Sequence, residues 1–598
     1  MSLLKNEFVV LKELRLNPCS SQRAIAERSG LALGTVNAAS KALSRGGLID
    51  GGRITPKGAE ALEPYKVANA VVMAAGLSSR FAPISYEKPK GLLKVRGEVL
   101  IERQIEQLKE AGIERICVVV GYKKEYFFYL EEKYGVEIAV NREFASRNNH
   151  STLMCVRERL GNTYICSSDD YFTENPFEPY EWKAYYAAEY CEGATQEWCI
   201  RAGAKDRIES VSPRGGSDSW YMIGHAYFDQ AFSNAYVRIL ENEYELPETA
   251  DKLWEQLYVD HIHELDMEIR RFGPGVIHEF DSLDDLREFD PRFLENVDSE
   301  IFDNICAVLG CEKGEIHDVY PLKEGLTNLS CHFATDEGEY VYRHPGVGTE
   351  LMIDRHAEKA AQEFAKAAGL DDTFVYEDPR SGWKISRFIR NARQLDPHDG
   401  AHVSRAMGMI ARLHSSDVRV ERTFDYLTES KKYEAELLRK GPIDVPGYRE
   451  MADDAARLKA FANGDDTRSC LTHNDFFHLN LLFDECDTLH LIDWEYAGMS
   501  DYASDFGTFV VTSELSTDEA LNALACYFDR KPTFEETRHN FAYVALAGWC
   551  WYVWALLKES EGDYVGEWLY VYYNYAKKYL SKTLAWYDEG FLAKDVTA

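Results

Sequence analysis

HNDFFHLNLLF at residues 473–483, followed by LIDWEYAG at 491–498, places Asp475, Asn480 and Asp493 in the spacing H-x-D-x4-N…D. A carboxylate that can accept a hydroxyl proton, then an amide and a second carboxylate that can hold a cation on phosphates, is the residue set phosphoryl transfer needs. Downstream, FAYVALAGWCWYVWALL (541–557) carries no charge. Its length is at the lower limit for a membrane span. Trp and Tyr crowd its centre, where a span would more often carry Leu, Ile and Val, so a buried helix lining a pocket is expected instead. Trp551 and Trp554 are three residues apart and share one helical face. A Trp pair is the best available face for a quaternary ammonium, and Trp549 is a third candidate; the plainer reading is a core stripe.

The motif resembles the choline kinase and aminoglycoside phosphotransferase family, whose fold is kinase-like. The resemblance implies ATP as phosphoryl donor, Asp475 as catalytic base, and Asn480 and Asp493 as Mg²⁺ ligands. Three further elements occur in order. KEGLTNLSCHF (323–333) looks like the family's nucleotide loop, with Gly325, Thr327 and Asn328 near phosphate. YVYRHPG (340–346) puts Arg343 on the next strand, where protein kinases use lysine, and Glu358 on the following helix is a suitable partner for it. The family's choline kinases carry a W-x-x-W pair at the position of Trp551 and Trp554; Glu495 and Asp505 follow the metal motif as helpers. Choline and ethanolamine both stay open as acceptors.

Upstream, MAAGLSSRFAPISYEKPKGLLKVRGEVLIER (73–103) follows an apolar strand. Ala74, Ala75 and Gly76 let backbone approach a ligand; Ser78, Ser79 and Arg80 add donors at a strand-to-helix turn, a place that favours phosphate. Lys90 would set an ammonium on a triphosphate. Strand runs at Ala70–Ala74, Ile116–Val120 and Thr163–Ser167 alternate with helical stretches at Ile101–Ala111, Tyr126–Lys133 and Thr152–Arg159, which predicts a mostly parallel α/β sheet.

This block is similar to the sugar-nucleotide pyrophosphorylase and cytidylyltransferase family, particularly the bacterial CTP:phosphocholine enzymes. Ser78 stands where that family has a second loop glycine. The resemblance implies CTP as co-substrate, held along Ala75, Gly76 and Ser79, with Lys90 and Arg80 stabilising charge. It implies Asp169 as Mg²⁺ ligand, with Asp170 the near alternative, and Glu279 and Asp281 in IHEFDSLDDL completing the metal site. It places nucleobase contacts on Asn149 and Ser151, and the cationic head group on Trp254 and Asp251, with Trp198 as a second wall.

Residues 1–66 hold ten Lys/Arg against six Asp/Glu, in a chain of net charge −33. Two short helices, Ser20–Ser29 and Leu33–Arg45, precede LIDGGRITPKG, a two-stranded wing with a Gly-Gly turn. This resembles the winged helix-turn-helix of transcription regulators, which implies DNA as a partner; docking on the enzyme and dimerisation are the alternatives.

The expected architecture is multidomain α/β: a winged helix-turn-helix at 1–66, a Rossmann-like nucleotidyltransferase α/β domain at 67–290 and a kinase-like α+β domain at 291–598. Overall acidity excludes a nucleic-acid coat. Thirteen scattered cysteines without CxxC, and an N-terminus without a cleavable leader, predict a cytoplasmic protein with no membrane insertion. Together the two resemblances imply an enzyme that phosphorylates choline and then activates phosphocholine with CTP to give CDP-choline. The alternatives are the same pair of reactions on ethanolamine or an amino acid derivative, and a choline-responsive regulator.

Overall fold

The computed structural model describes residues 3–322, 328–346, 353–562 and 564–588, in two compact units, Met1–Pro321 and Leu322–Ala598. Gly325 and Thr327 lie outside the described residues.

The first unit opens with helices α1 (Lys5–Leu16), α2 (Gln22–Ser29) and α3 (Leu33–Arg45). Ser21 caps α2 by accepting from the Ala24 amide, and α3 buries Val36, Ala39 and Leu43, its three- and four-residue stripe. Strands β1 (Ile49–Asp50) and β2 (Arg53–Ile54) pair antiparallel around Gly51 and Gly52, both at positive φ, as a tight hairpin turn requires. Helix α4 (Pro56–Leu62) closes the module, capped by Thr55. The module's apolar core does not stop at residue 66. The Phe8 ring lies 5.5 Å from Trp182, Tyr65 stacks on Trp182 at 5.2 Å, and Tyr180 belongs to the same buried cluster. Lys5 pairs with Glu268 at 2.6 Å, and Lys12 pairs with Glu178. Lys41 and Arg45 point outward from α3.

Next comes an open sheet centred on β3 (Asn69–Ala74), flanked in parallel by Ile116–Val120 and Thr163–Ser167, with Glu137–Val140 beyond the former. Every residue of Ile116–Val120 is buried, the signature of a strand covered on both faces. Gly216–Phe228 joins antiparallel on the other side of Thr163–Ser167. The helix expected at Thr152–Arg159 is instead His150–Cys155, because Val156 leaves helical geometry at φ −119°. Helices Phe293–Asn296 and Glu300–Leu309, read from sequence as the start of the third block, lie in this first unit; Ser299 and the Ile301 amide both bond Glu87.

The second unit has an antiparallel sheet in the order Asn328–Thr335, Gly338–Pro345, Lys384–Arg387, Phe374–Glu377, with helix Arg355–Ala367 beside it. An antiparallel strand pair, Ser469–Thr472 with Gly498–Asp501, and between its strands a small hairpin, Leu481–Phe483 with Leu489–Leu491, carry the H-x-D…N…D motif. The uncharged run forms part of helix Phe534–Glu561, whose apolar stretch is 94% buried within the protein. It is a core helix, packed against Ala503–Thr512, Tyr426–Lys440 and Trp568–Asp588.

Candidate active sites

In the first unit the parallel strands end on one side, where open α/β sheets bind ligands. The turn after β3, the turn after Thr163–Ser167 and the segment after Glu137–Val140 together line a cavity of about 610 Å³. Ala75, Gly76, Ser79, Arg80, Lys90 and Asp169 all border it. Ser78 sits at φ 54°, the left-handed conformation that glycine adopts without cost, so the loop keeps a glycine-like turn at a serine. Gly91 lets the Lys90 segment lie flat on its neighbour: a Cβ there would meet Ser168 at 2.8 Å.

Lys90 Nζ lies 2.6 Å from Asp169 Oδ2 and 4.3 Å from the centre of the Phe81 ring. Arg80, largely exposed, reaches Asp281 at 2.8 Å. Glu279 pairs in register with Asp170; its side chain is exposed at the strand end, and the protein crowded around it together with the Asp169 charge raises its carboxyl. Asp170 is buried, and neither of its oxygens has a hydrogen-bond partner among the described residues. Burial and the charges of Glu279 and Asp169 raise it well above the carboxylate range. Asp170, with both oxygens unmet, offers carboxylate oxygen of the kind a hard divalent cation takes, and Asp169 and Glu279 are the acids that act on it. Asp169 borders the cavity and Asp170 lies behind it.

Asn149 and Ser151 border the cavity, but their side chains are engaged by the fold. Ser151 Oγ donates to the Asn148 carbonyl at 2.7 Å and accepts from Asn141, while Asn149 Oδ1 accepts from the Trp254 amide at 2.7 Å. Asn141, at the end of its strand, is a lining residue that sequence reading missed; its position after Glu137–Val140 was the available signal. Asp251 borders the cavity as expected. Trp254 does not: it is 1% exposed, packed between Tyr186 and Phe228 in the domain core, so it cannot itself be a wall for a cation. Trp198 is half-buried against that same core.

In the second unit Asn480 Nδ2 donates to Asp475 Oδ2 at 2.9 Å and to the Asp475 carbonyl at 3.1 Å. Burial, then the charges of Asp493 and Glu495, push Asp475 up to about 8. Asp493 sits at φ 66° with its side chain partly exposed. Arg343 Nη1 lies 3.5 Å from Asp493 and 3.8 Å from Glu495, and its other amino group 2.7 Å from Glu358. Lys384 and Arg355 also reach Glu358, at 3.3 and 2.9 Å. Burial alone would raise Glu358; Arg343, Lys384 and Arg355 outweigh it and hold the carboxyl well below the usual range. Asp505 does not face the substrate side but works from behind. Its carboxylate accepts from the His473 and Asn474 amides at 2.9 and 2.5 Å and contacts His414 Nε2 at 2.9 Å, fixing the loop that carries Asp475. Asn328 opens the first strand of the sheet.

Trp551 and Trp554 meet edge to face at 6.1 Å, and Tyr496 meets Trp551 at 5.7 Å. Tyr496, missed in the sequence, stays protonated well past its usual range through burial, Glu495 and Asp475. Trp549 is not part of this group. Two residues along a helix turn the side chain through about 200°, and Trp549 packs on Tyr448 at 5.0 Å instead.

Comparison with known proteins gives three family models in chain order: winged helix-turn-helix DNA-binding (residues 3–50), MobA-like NTP transferase domain (70–169) and phosphotransferase enzyme family (318–539). The choline-phosphate cytidylyltransferase of Streptococcus pneumoniae is 34% identical over 223 residues, covering 37% of this chain and 96% of that protein. The 2-aminoethylphosphonate cytidylyltransferase of Lancefieldella rimae is 36% identical over 230 residues, covering 38% and 93%. A crystal structure of choline kinase LicA from Streptococcus pneumoniae is 26% identical, covers 47% of this chain and 98% of that one, and gives a TM-score of 0.42. The chain thus carries a winged helix-turn-helix, an NTP transferase domain and a phosphotransferase domain in that order. Through its first unit the chain belongs to the bacterial cytidylyltransferase family.

Proposed function

We propose that the chain phosphorylates choline with ATP and then transfers CMP from CTP to phosphocholine, giving CDP-choline and pyrophosphate. The observation that carries this reading is the aromatic group Tyr496–Trp551–Trp554 in the unit that holds Asp475, joined in one chain to a second site whose reaction consumes the first site's product. Aromatic faces favour a desolvated quaternary ammonium. The Streptococcus pneumoniae relative, named for choline phosphate, supports the second step.

In the first step Asp475 takes the hydroxyl proton as the alcohol oxygen attacks the γ-phosphorus and ADP leaves. Asn480 orients Asp475, and Arg343 is aimed by Glu358 at the phosphates. In the second step a phosphocholine oxygen attacks the α-phosphorus of CTP and the bond to pyrophosphate breaks; Lys90 and Arg80 offset the charge on the phosphates. Asn480 and Asp493 in one site, and Asp169, Glu279 and Asp281 in the other, are the residues that would hold Mg²⁺, which when bound would supply positive charge against the phosphates.

The Lancefieldella rimae relative supports a second reading, 2-aminoethylphosphonate as acceptor. Such an acceptor carries its phosphorus on carbon and needs no kinase, which weighs against it here. Ethanolamine fits the same two steps as choline. We propose the domain order winged helix, cytidylyltransferase and kinase, with the boundary drawn from sequence at 290 moved to the end of the first unit at Pro321, and we place the protein in the cytosol, where thirteen unpaired thiols are at home. The outward Lys41 and Arg45 keep duplex DNA as a partner of α3. The test is a one-pot assay with ATP, CTP, Mg²⁺ and choline, ethanolamine or 2-aminoethylphosphonate, following CDP-linked product by mass. CDP-choline formed only when both nucleotides are present is the expected result. CDP-linked aminoethylphosphonate formed without ATP, and no product from choline, would overturn it.

A further inference from the structure

The acceptor of the nucleotidyltransferase site carries a positive charge on the proposed reading, and Trp254 is sealed in the core. Its neighbour in sequence is not. Glu255 Oε2 accepts from Asn149 Nδ2 at 3.3 Å, and Glu255 Oε1 accepts from the Tyr186 hydroxyl at 3.3 Å. The backbone amide of Glu255, at the start of its helix, also bonds this carboxylate. Glu255 is only partly buried, and it stands one hydrogen bond behind Asn149, which borders the cavity that Lys90, Arg80 and Asp169 also border. Tyr186 is backed by Trp254, stacked at 5.7 Å and 20°. Through burial, then Glu255, then Glu279 and Asp170, the Tyr186 hydroxyl is held well above its usual range.

We propose that Glu255, held by Asn149 and Tyr186, receives the cationic head of the acceptor and sets the site's preference for charged over neutral acceptors. The inference rests on the cytidylyl transfer proposed above. Among the described residues no Lys or Arg forms an ion pair with Glu255, although Lys90, Arg80 and Arg147 pair with acids around the same cavity. Burial pushes Glu255 up to about 7, the behaviour of a carboxylate without its counter-charge. A zwitterionic acceptor supplies that charge: its phosphate lies toward Asp169 and Lys90 and its ammonium against Glu255. The competing account makes Glu255 only a strut between Asn149 and Tyr186.

The two accounts separate with a neutral twin of phosphocholine, 3,3-dimethylbutyl phosphate, which has the same shape and no positive charge. Full-length wild type, Glu255→Gln and Glu255→Asp are assayed with CTP and each acceptor. Wild type is expected to prefer phosphocholine by about 30-fold or more in kcat/KM. Glu255→Gln should cut that preference to about threefold by raising KM for phosphocholine, with KM for CTP unmoved, and Glu255→Asp should keep part of it. Equal loss on both acceptors, or a wild type without preference, overturns the proposal while leaving cytidylyl transfer in place. A wild type that turns over neither phosphocholine, phosphoethanolamine nor 2-aminoethylphosphonate overturns the parent reading, and this inference with it.

Discussion

Arg343 lies 2.7 Å from Glu358, and Glu358 is wholly buried. A buried pair of this kind is a positioning device more than a source of stability, because desolvation offsets most of its attraction. Lys384 and Arg355 also hold Glu358, so the acid stays charged if Arg343 is lost. Arg343→Met should therefore fold but lose about 100-fold or more in kinase kcat/KM for ATP. Arg343→Lys should recover part of it. Steady-state kinetics with varied ATP checks this; an unchanged KM and kcat in Arg343→Met would remove Arg343 from the site.

The two chemistries should separate by single changes. Asp475→Asn is expected to lower choline phosphorylation by about 10²–10⁴-fold and leave CDP-choline formation from added phosphocholine intact. Asp169→Asn should do the reverse. Product analysis by mass with each starting acceptor reads both. Loss of both activities in one folded variant would contradict independent sites.

Trp554 and Trp549 are both tryptophans of one helix with opposite expected phenotypes. Trp554→Leu should raise KM for choline by about 10- to 30-fold, the worth of a desolvated cation–π contact. Trp549→Leu should leave that KM alone and lower the melting temperature, since it only opens space against Tyr448. Equal effects on KM would merge the two roles.

Glu377 offers a pH signature. Burial and the Glu358 charge push it up to about 8 from an ordinary 4.5. Between those values the folded chain keeps a proton that the unfolded chain has released, so stability falls as pH rises through that window. Glu377→Gln removes this loss. Its melting temperature should match wild type near pH 5 and exceed it by about 2 °C near pH 8. Scanning fluorimetry without nucleotide or metal checks the trend; a difference that does not grow with pH would refute it.

Much of this was legible in the residues. The spacing of Asp475, Asn480 and Asp493 led to a loop in which the amide does hold the carboxylate, and Arg343 with Glu358 led to a real pair. Strand runs at 116–120 and 163–167 appeared where apolar continuity put them. What stayed hidden depends on separation along the chain or on rotation about a helix. His414 meets Asp505 across 91 positions, and no local pattern announces that. Glu255 looks like any helix-start acid until Asn149, 106 positions away, is placed on it. Trp254 shows the converse limit: a buried ring and a binding wall are spelled with the same letter.

The ring stack of Phe8, Tyr65 and Trp182 bears on how this polypeptide can be divided. A transferase started at residue 67 would leave Trp182 and Tyr180 bare, an apolar scar where α1 had rested, and would tend to self-associate. The head piece alone would lose the same cover from its own Phe8. Gene shuffling that separated the two would inherit two sticky halves, so selection would pass them on together even where no operator is ever bound.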